Sequence, residues 1–265
     1  MEHALDRIPG WIWSWRRSGR LVLLLDFDGT LSPIVPHAED ARLTSTARIA
    51  LGALRDRIDV DVAIVSGRAI EDLRSRVDLE GLLFAGNHGM EIEGPGVSET
   101  APQALALRPA LERAKSRITA GLESVSGAWV EDKGLTLTIH LRQADPADEE
   151  RIRQIVASGV EGEVGLRLTC GKKVIEVRPA VDYDKGTAVQ FLLRHLDPPV
   201  GSPVLYLGDD TTDEDAFRVV KSMGDPPGEG VVVADPVPTD SAATAFLKSV
   251  DEVGDLLAAL AVQER

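Results

Sequence analysis

Two aspartates separated by one residue close the apolar run in RLVLLLDFDGTLSPI (residues 20–34), and two more stand side by side in LYLGDDTTDEDAF (residues 205–217). A carboxylate at the end of a buried run is costly unless something pairs with it. Asp26, Asp28, Asp209, Asp210 and Asp213 gathered in one place call for a hard cation, and an all-oxygen donor set in a small site fits Mg²⁺. Such a site shares its cation with a phosphate, and an Asp beside it can act as the nucleophile and take up the phosphoryl group. A second Asp two residues on lies on the same side of an extended chain, where it can move a proton to the leaving oxygen. Ser66 in VDVAIVSGR offers a hydroxyl to a phosphate oxygen, and Lys185 in YDKG offers the charge that neutralises the developing anion.

These residues need elements that bring them together. Residues 21–25 are five apolar residues in a row and predict a buried strand; 60–65, 82–86 and 203–207 predict further strands, each ending in a polar cluster. Between them, residues 44–57 and 69–77 carry helical spacing, with Thr44 or Ser45 as N-cap of the first. Strand, helix, strand, helix, strand is the pattern of a parallel α/β sheet, whose ligands bind outside the carboxyl ends of the strands. The clusters Asp26/Asp28, Ser66/Arg68, Asn87/His88 and Asp209/Asp210/Asp213 would then converge on one crevice.

The texture changes near residue 93. EGPGVSETAPQ reads as a linker, 104–125 as a helix with Pro109 as the objection, AWVEDKG and LTLTIHLR as two strands, 145–159 as a helix capped by Asp145, and GLRLTC and VIEVRP as a hairpin turning at Gly171. The α/β texture returns after AVDYDKG. The expected organisation is a core made of 1–103 and 182–265, with 1–19 as an N-terminal capping segment, and an inserted α+β unit over 104–181. Trp11 and Trp15, four apart, share a helical face.

Composition excludes several classes. The 265 residues carry a net charge of −14, from 29 basic and 43 acidic residues, which disfavours nucleic acid and anionic lipid as partners. No stretch approaches the length of a membrane span. The single cysteine, Cys170, permits no intramolecular disulfide and is expected as packing filler. The chain is expected in the cytoplasm, as a monomer.

DFDGTLSP, SGR, DKG and GDDTTDEDAF, in this order, resemble the four motifs of the haloacid dehalogenase (HAD) superfamily of phosphotransferases. GNHGMEI, WVEDKGLTLTIHLR, GKKVIEVRPAVDYDKG and LYLGDDTTDEDAF are similar to the trehalose-6-phosphate phosphatase family, over about residues 20–260. The resemblance implies an α/β fold: a Rossmann-like HAD core with a parallel sheet and a cap inserted after the third strand. It implies Asp26 as nucleophile, Asp28 as general acid and base, and Mg²⁺ held by Asp26, the backbone carbonyl of Asp28 and Asp209, with support from Asp210 and Asp213. It assigns Ser66 and Lys185 to the phosphate and leaves Arg68 either structural or substrate-facing.

For the sugar, the resemblance points to cap residues Glu131, Lys133, Lys172 and Glu176. His88 and Arg178 stand between substrate contact and a packing or hinge role. The reaction it implies is Mg²⁺-dependent hydrolysis of trehalose 6-phosphate, a small-molecule sugar phosphate, through an aspartyl-phosphate. Alternatives are a capped phosphatase for sucrose 6-phosphate or mannosyl-3-phosphoglycerate, and a catalytically silent sugar-phosphate-binding module. Asp184 stands where the family often has Asn, and the tryptophan-rich segment lies outside the match.

Overall fold

The computed structural model describes residues 1–171, 173–224 and 227–263. The chain divides into two compact units, one made of residues 1–99 and 183–265 and the other of residues 100–182.

The first unit is built on a sheet that begins, in chain order, with β1 (Glu2–His3), β2 (Leu21–Leu25), β3 (Val60–Val65), β4 (Leu83–Gly86), β5 (Glu91–Gly94) and β6 (Val97–Thr100). The inserted unit then supplies β7 (Trp129–Asp132), β8 (Leu137–His140), β9 (Leu166–Gly171) and β10 (Val174–Pro179), and the chain returns with β11 (Val204–Gly208), β12 (Glu229–Val233) and β13 (Ala245–Leu247). The large sheet runs in the order β1-β13-β12-β11-β2-β3-β4-β5-β6. It is parallel from β1 to β4, and β5 is antiparallel to β4.

β2 lies at the centre and all five of its residues are buried, as an apolar run covered on both faces must be. Its alternate residues feed different cores. Leu21, Leu23 and Leu25 pack with helices α1 (Ala4–Ser18), α2 (Ser45–Arg55), α3 (Ile70–Val77) and α9 (Val250–Ala261). Val22 and Leu24 pack with α7 (Lys185–Leu196) and α8 (Glu214–Lys221) on the opposite face. In α1, Trp11 and Trp15 are buried as their spacing predicts, while Trp13 is 61 % exposed.

The second unit is an antiparallel sheet in the order β7-β8-β10-β9 with α5 (Arg108–Leu122) and α6 (Glu149–Val160) on one face. Leu111, Ala114 and Ile118 of α5 and Ile152 and Val156 of α6 bury Leu137, Ile139, Ile175 and Val177.

Three readings from sequence need correction. EGPGVSETAPQ is not a linker: it supplies most of the hairpin β5–β6, turning at Gly94-Pro95-Gly96, because the turn residues sit between two short extended runs. The helix expected over 104–125 is two, α4 (Pro102–Ala106) and α5, with the break at Leu107 and Pro109 in the first turn of α5, where its missing N–H is harmless. Cys170 is exposed rather than packing filler, with Arg153 Nη1 3.3 Å from its sulfur.

Candidate active site

The ends of β2, β3, β4 and β11 carry the polar residues that sequence singled out. Asp26 follows β2 and is buried; its backbone N–H donates to Leu207 O of β11 at 2.9 Å. Lys185 is the first residue of α7, whose N-cap is Asp184. The Thr187 N–H donates to Asp184 Oδ1 at 2.7 Å, and the Asp184 N–H donates to Thr187 Oγ1 at 2.9 Å, a reciprocal cap that sets where the helix begins. From there the Lys185 ammonium donates to Asp26 Oδ1 at 2.8 Å and to Asp213 Oδ1 at 2.7 Å, and all three side chains are buried.

Asp213 is the hub. Its Oδ1 also accepts from the Tyr206 hydroxyl at 2.6 Å, and its Oδ2 accepts from the backbone N–H groups of Asp209 and Asp210 at 3.1 and 3.0 Å. Those four donors match the roughly four lone-pair sites of a carboxylate. Asp213 therefore holds the turn and the lysine, and Asp26 and Asp209 are left as the carboxylates open to a cation. Oxygens of Asp26, Asp209 and Asp213 lie within 4.8 Å of one another, an arrangement that could hold a metal. Burial, then the neighbouring Asp213, raises Asp209 to about 7. Burial also raises Asp26 despite Lys185, while Lys185 is pushed up: burial opposes its charge, and Asp26 and Asp213 outweigh it. A cation would relieve this carboxylate crowding, and the donors are all hard oxygens. Asp210 is exposed, and its carboxylate caps the following turn by accepting from the Thr211 N–H at 2.6 Å. Tyr206 was not singled out in the sequence, where it reads as one more residue of a buried strand.

Asp28 sits in the turn after Asp26. At Gly29, with φ +84°, a side chain would meet Asp209: a Cβ there would lie 2.0 Å from Asp209 Oδ2. That close approach requires glycine. The Asp28 carboxylate is gripped by Arg68, with Nε to Oδ2 at 2.6 Å and Nη2 to Oδ1 at 2.7 Å. Arg68 also donates to Asp72 Oδ2 at 2.8 Å and to Ala38 O at 3.0 Å. Ser66 is buried at the end of β3, its hydroxyl accepting from the Arg68 N–H at 3.2 Å. The turn after β4 locks onto the same segment through Asn87 N to Arg68 O at 2.7 Å and His88 N to Ser66 O at 3.0 Å. His88 packs its ring against Gly67, where a Cβ would lie 2.6 Å from His88 Cε1.

A model of the trehalose-phosphatase family matches residues 24–251, a span that includes every residue of this cluster. The chain belongs to the trehalose-phosphatase family. That is a family of phosphoric monoester hydrolases. The chain is 37 % identical over 254 residues to probable trehalose-phosphate phosphatase 3 of Oryza sativa subsp. japonica, covering 89 % of this chain and 68 % of that protein. It is 36 % identical over 257 residues to trehalose 6-phosphate phosphatase RA3 of Zea mays, covering 91 % and 70 %. Among solved structures, the C-terminal domain of Candida albicans trehalose-6-phosphate phosphatase superposes with a TM-score of 0.77 at 26 % identity, covering 96 % of each chain.

In this trehalose-phosphatase the inserted unit turns a polar sheet face away from its helices. Strand register aligns Glu131, Thr138, Glu176 and Thr169 in one row across β7, β8, β10 and β9. Glu131 Oε2 lies 2.8 Å from His140 Nε2, and the Trp129 ring stacks on His140 with centroids 4.0 Å apart. Lys133 Nζ lies 3.8 Å from Glu176 Oε1. Arg178 pairs in register with Arg167 near the end of β10. Lys172 lies outside the described residues. Thr138 and His140 went unnoticed in the sequence; the signal was the alternation of LTLTIH, which puts both on the face of Glu131. No helix among the described residues is long and apolar enough to cross a membrane.

Proposed function

We propose that this chain hydrolyses trehalose 6-phosphate to trehalose and inorganic phosphate, with Asp26 as nucleophile and Mg²⁺ held by Asp26, Asp209 and the backbone carbonyl of Asp28. The observation that carries the reading is the buried Lys185 shared by Asp26 and Asp213 beside Asp209. It is a preformed charge cluster at the end of the central strand, in a chain of the trehalose-phosphatase family. Bound there, Mg²⁺ would supply positive charge that eases the approach of one anion to another.

In the first half-reaction an Asp26 carboxylate oxygen attacks phosphorus, the bond from phosphorus to the sugar oxygen breaks, and that oxygen takes a proton from Asp28. In the second, water attacks the phosphorus of the aspartyl-phosphate, Asp28 takes the water proton back, and Asp26 leaves as a carboxylate. Lys185 and Ser66 neutralise and orient the phosphoryl oxygens. The row Glu131–Glu176, with Lys133, is assigned to the sugar hydroxyls, and His88 and Arg178 belong to the substrate-facing set.

The test is release of inorganic phosphate from a panel of sugar phosphates, with Mg²⁺ and with EDTA. Trehalose 6-phosphate should have the highest kcat/KM, and EDTA should abolish it. A higher kcat/KM on sucrose 6-phosphate or mannosyl-3-phosphoglycerate would reassign the substrate. No release from any of them would leave a silent binding module.

A further inference from the structure

We infer that Arg68 is the positioning residue for Asp28: its guanidinium holds the Asp28 carboxylate in one plane and one rotamer, and it makes no contact with substrate. The inference rests on the reading that Asp28 moves the proton. It gives a buried arginine, ambiguous in sequence, a role distinct from phosphate or sugar binding.

The geometry is that of a fork meeting a carboxylate. Nε and Nη2 of Arg68 each take one oxygen of Asp28, at 2.6 and 2.7 Å, fixing the carboxylate in the guanidinium plane. The arginine is itself fixed. Nη1 donates to Asp72 Oδ2 and Nη2 also to Ala38 O. Its backbone N–H donates to Ser66 Oγ, and its carbonyl accepts from Asn87 N. Asp72 is anchored in turn by Arg76, whose Nε donates to Oδ2 at 2.7 Å and Nη2 to Oδ1 at 2.5 Å. The Arg68 guanidinium lies 5.4 Å from the Phe27 ring centroid, and its side chain is 9 % exposed.

A general acid and base must keep its oxygen within hydrogen-bond reach of the atom it serves. Asp28 stands in a tight turn just before a left-handed glycine, with its side chain more than a third exposed. Among the described residues, only Arg68 hydrogen-bonds its carboxylate. The fork restricts its rotamer from the turn after β3, forty residues away in sequence. Four of the five guanidinium N–H donors a phosphate would seek from Arg68 are already committed to Asp28, Asp72 and Ala38. Lysine, a point charge without the fork, cannot reproduce the arrangement.

The experiment is steady-state kinetics on trehalose 6-phosphate with saturating Mg²⁺, for Arg68→Ala, Arg68→Lys, Asp72→Asn, Asp28→Ala and the double variant Asp28→Ala/Arg68→Ala, with thermal unfolding of each. Arg68→Ala should lower kcat about 10–100-fold, as a misplaced catalytic group does, and leave KM within about twofold. Arg68→Lys should recover little. Asp72→Asn, which leaves the fork on Asp28 intact, should keep kcat within about threefold of the parent. In the Asp28→Ala background, removal of Arg68 should cost nothing further, since its effect passes through Asp28.

A raised KM with unchanged kcat in Arg68→Ala would make Arg68 a substrate contact and overturn the inference. An equal further loss in the Asp28→Ala background would do the same by making its role general to the fold. Should Arg68→Ala not fold, Arg68→Lys carries the same comparison in both backgrounds. Full activity of Asp28→Ala would remove the proton-transfer reading itself, and the inference with it; a slow Asp28→Ala with additive Arg68 loss would remove the inference alone.

Discussion

Asp26 sits where its ionised form is costly. Burial and the carboxylates of Asp213 and Asp209 raise its proton affinity, and Lys185 offsets them only in part. Asp26→Asn should therefore abolish phosphate release, because an amide neither attacks phosphorus nor ligates a hard cation well. In EDTA it should unfold at the same temperature as the parent or higher, since Lys185 keeps Asp213 as a partner. Phosphate release at the parent rate would remove Asp26 as nucleophile.

Asp209 supplies a pH prediction at the same scale. It titrates near 3.9 in an unfolded chain and is raised to about 7 in the folded, metal-free protein. The folded state thus holds a proton that the unfolded state has lost. The stability this contributes is full below about pH 4 and is lost as pH rises through about 7. Calorimetry in EDTA should give a higher Tm at pH 5 than at pH 8, and Asp209→Asn should flatten part of that slope. Mg²⁺ competes for the same oxygens, so its affinity should fall as pH drops below 7. A slope unchanged in Asp209→Asn would mean that this carboxyl is not raised.

Among the elements, the start of α7 decides where Lys185 can reach. The reciprocal cap between Asp184 and Thr187 fixes the first turn of the helix, and Lys185 is its first residue. Asp184→Ala should cost about 0.5–2 kcal/mol of stability through loss of the cap. It should also lower kcat, because the lysine begins from a frayed turn. Asp184→Asn should restore both, since Asn caps as well as Asp. Thermal unfolding and kcat measured together check this; a stability loss with unchanged kcat would make the cap structural only. The β5–β6 hairpin shows a different lesson at this scale. Its strands are only four residues each, and Gly94, Pro95 and Gly96 between them outweigh the strand signal in any local reading.

Across the whole molecule, the residues proposed for chemistry and those proposed for sugar recognition belong to different units: Asp26, Lys185 and Asp213 to one, the row Glu131–Thr138–Glu176–Thr169 to the other. Glu131→Ala or Glu176→Ala should lower kcat/KM steeply on trehalose 6-phosphate and barely change it on p-nitrophenyl phosphate, which has no sugar hydroxyls to lose. Ser66→Ala and Lys185→Ala should depress both substrates together. The ratio of kcat/KM for the two substrates in each variant reads this out. Equal loss on both substrates in the Glu variants would make those carboxylates structural.

Much of this was legible along the chain because it is written in local pattern. An apolar run ending in Asp26 specifies a strand covered on both faces, and Thr44 announces the helix it caps. The alternation of LTLTIH separates two faces of a strand. The tertiary structure alone decided which partners those side chains meet. Arg68 closes on Asp28 across 40 residues and Lys185 on Asp26 across 159, distances over which spacing carries no directional information. Tyr206 has the sequence signature of a core residue, and only the packing of β11 against the turn after it aims its hydroxyl at Asp213. Period and capping are set by neighbours a few residues apart; the partner of a buried charge is set by which strands lie side by side.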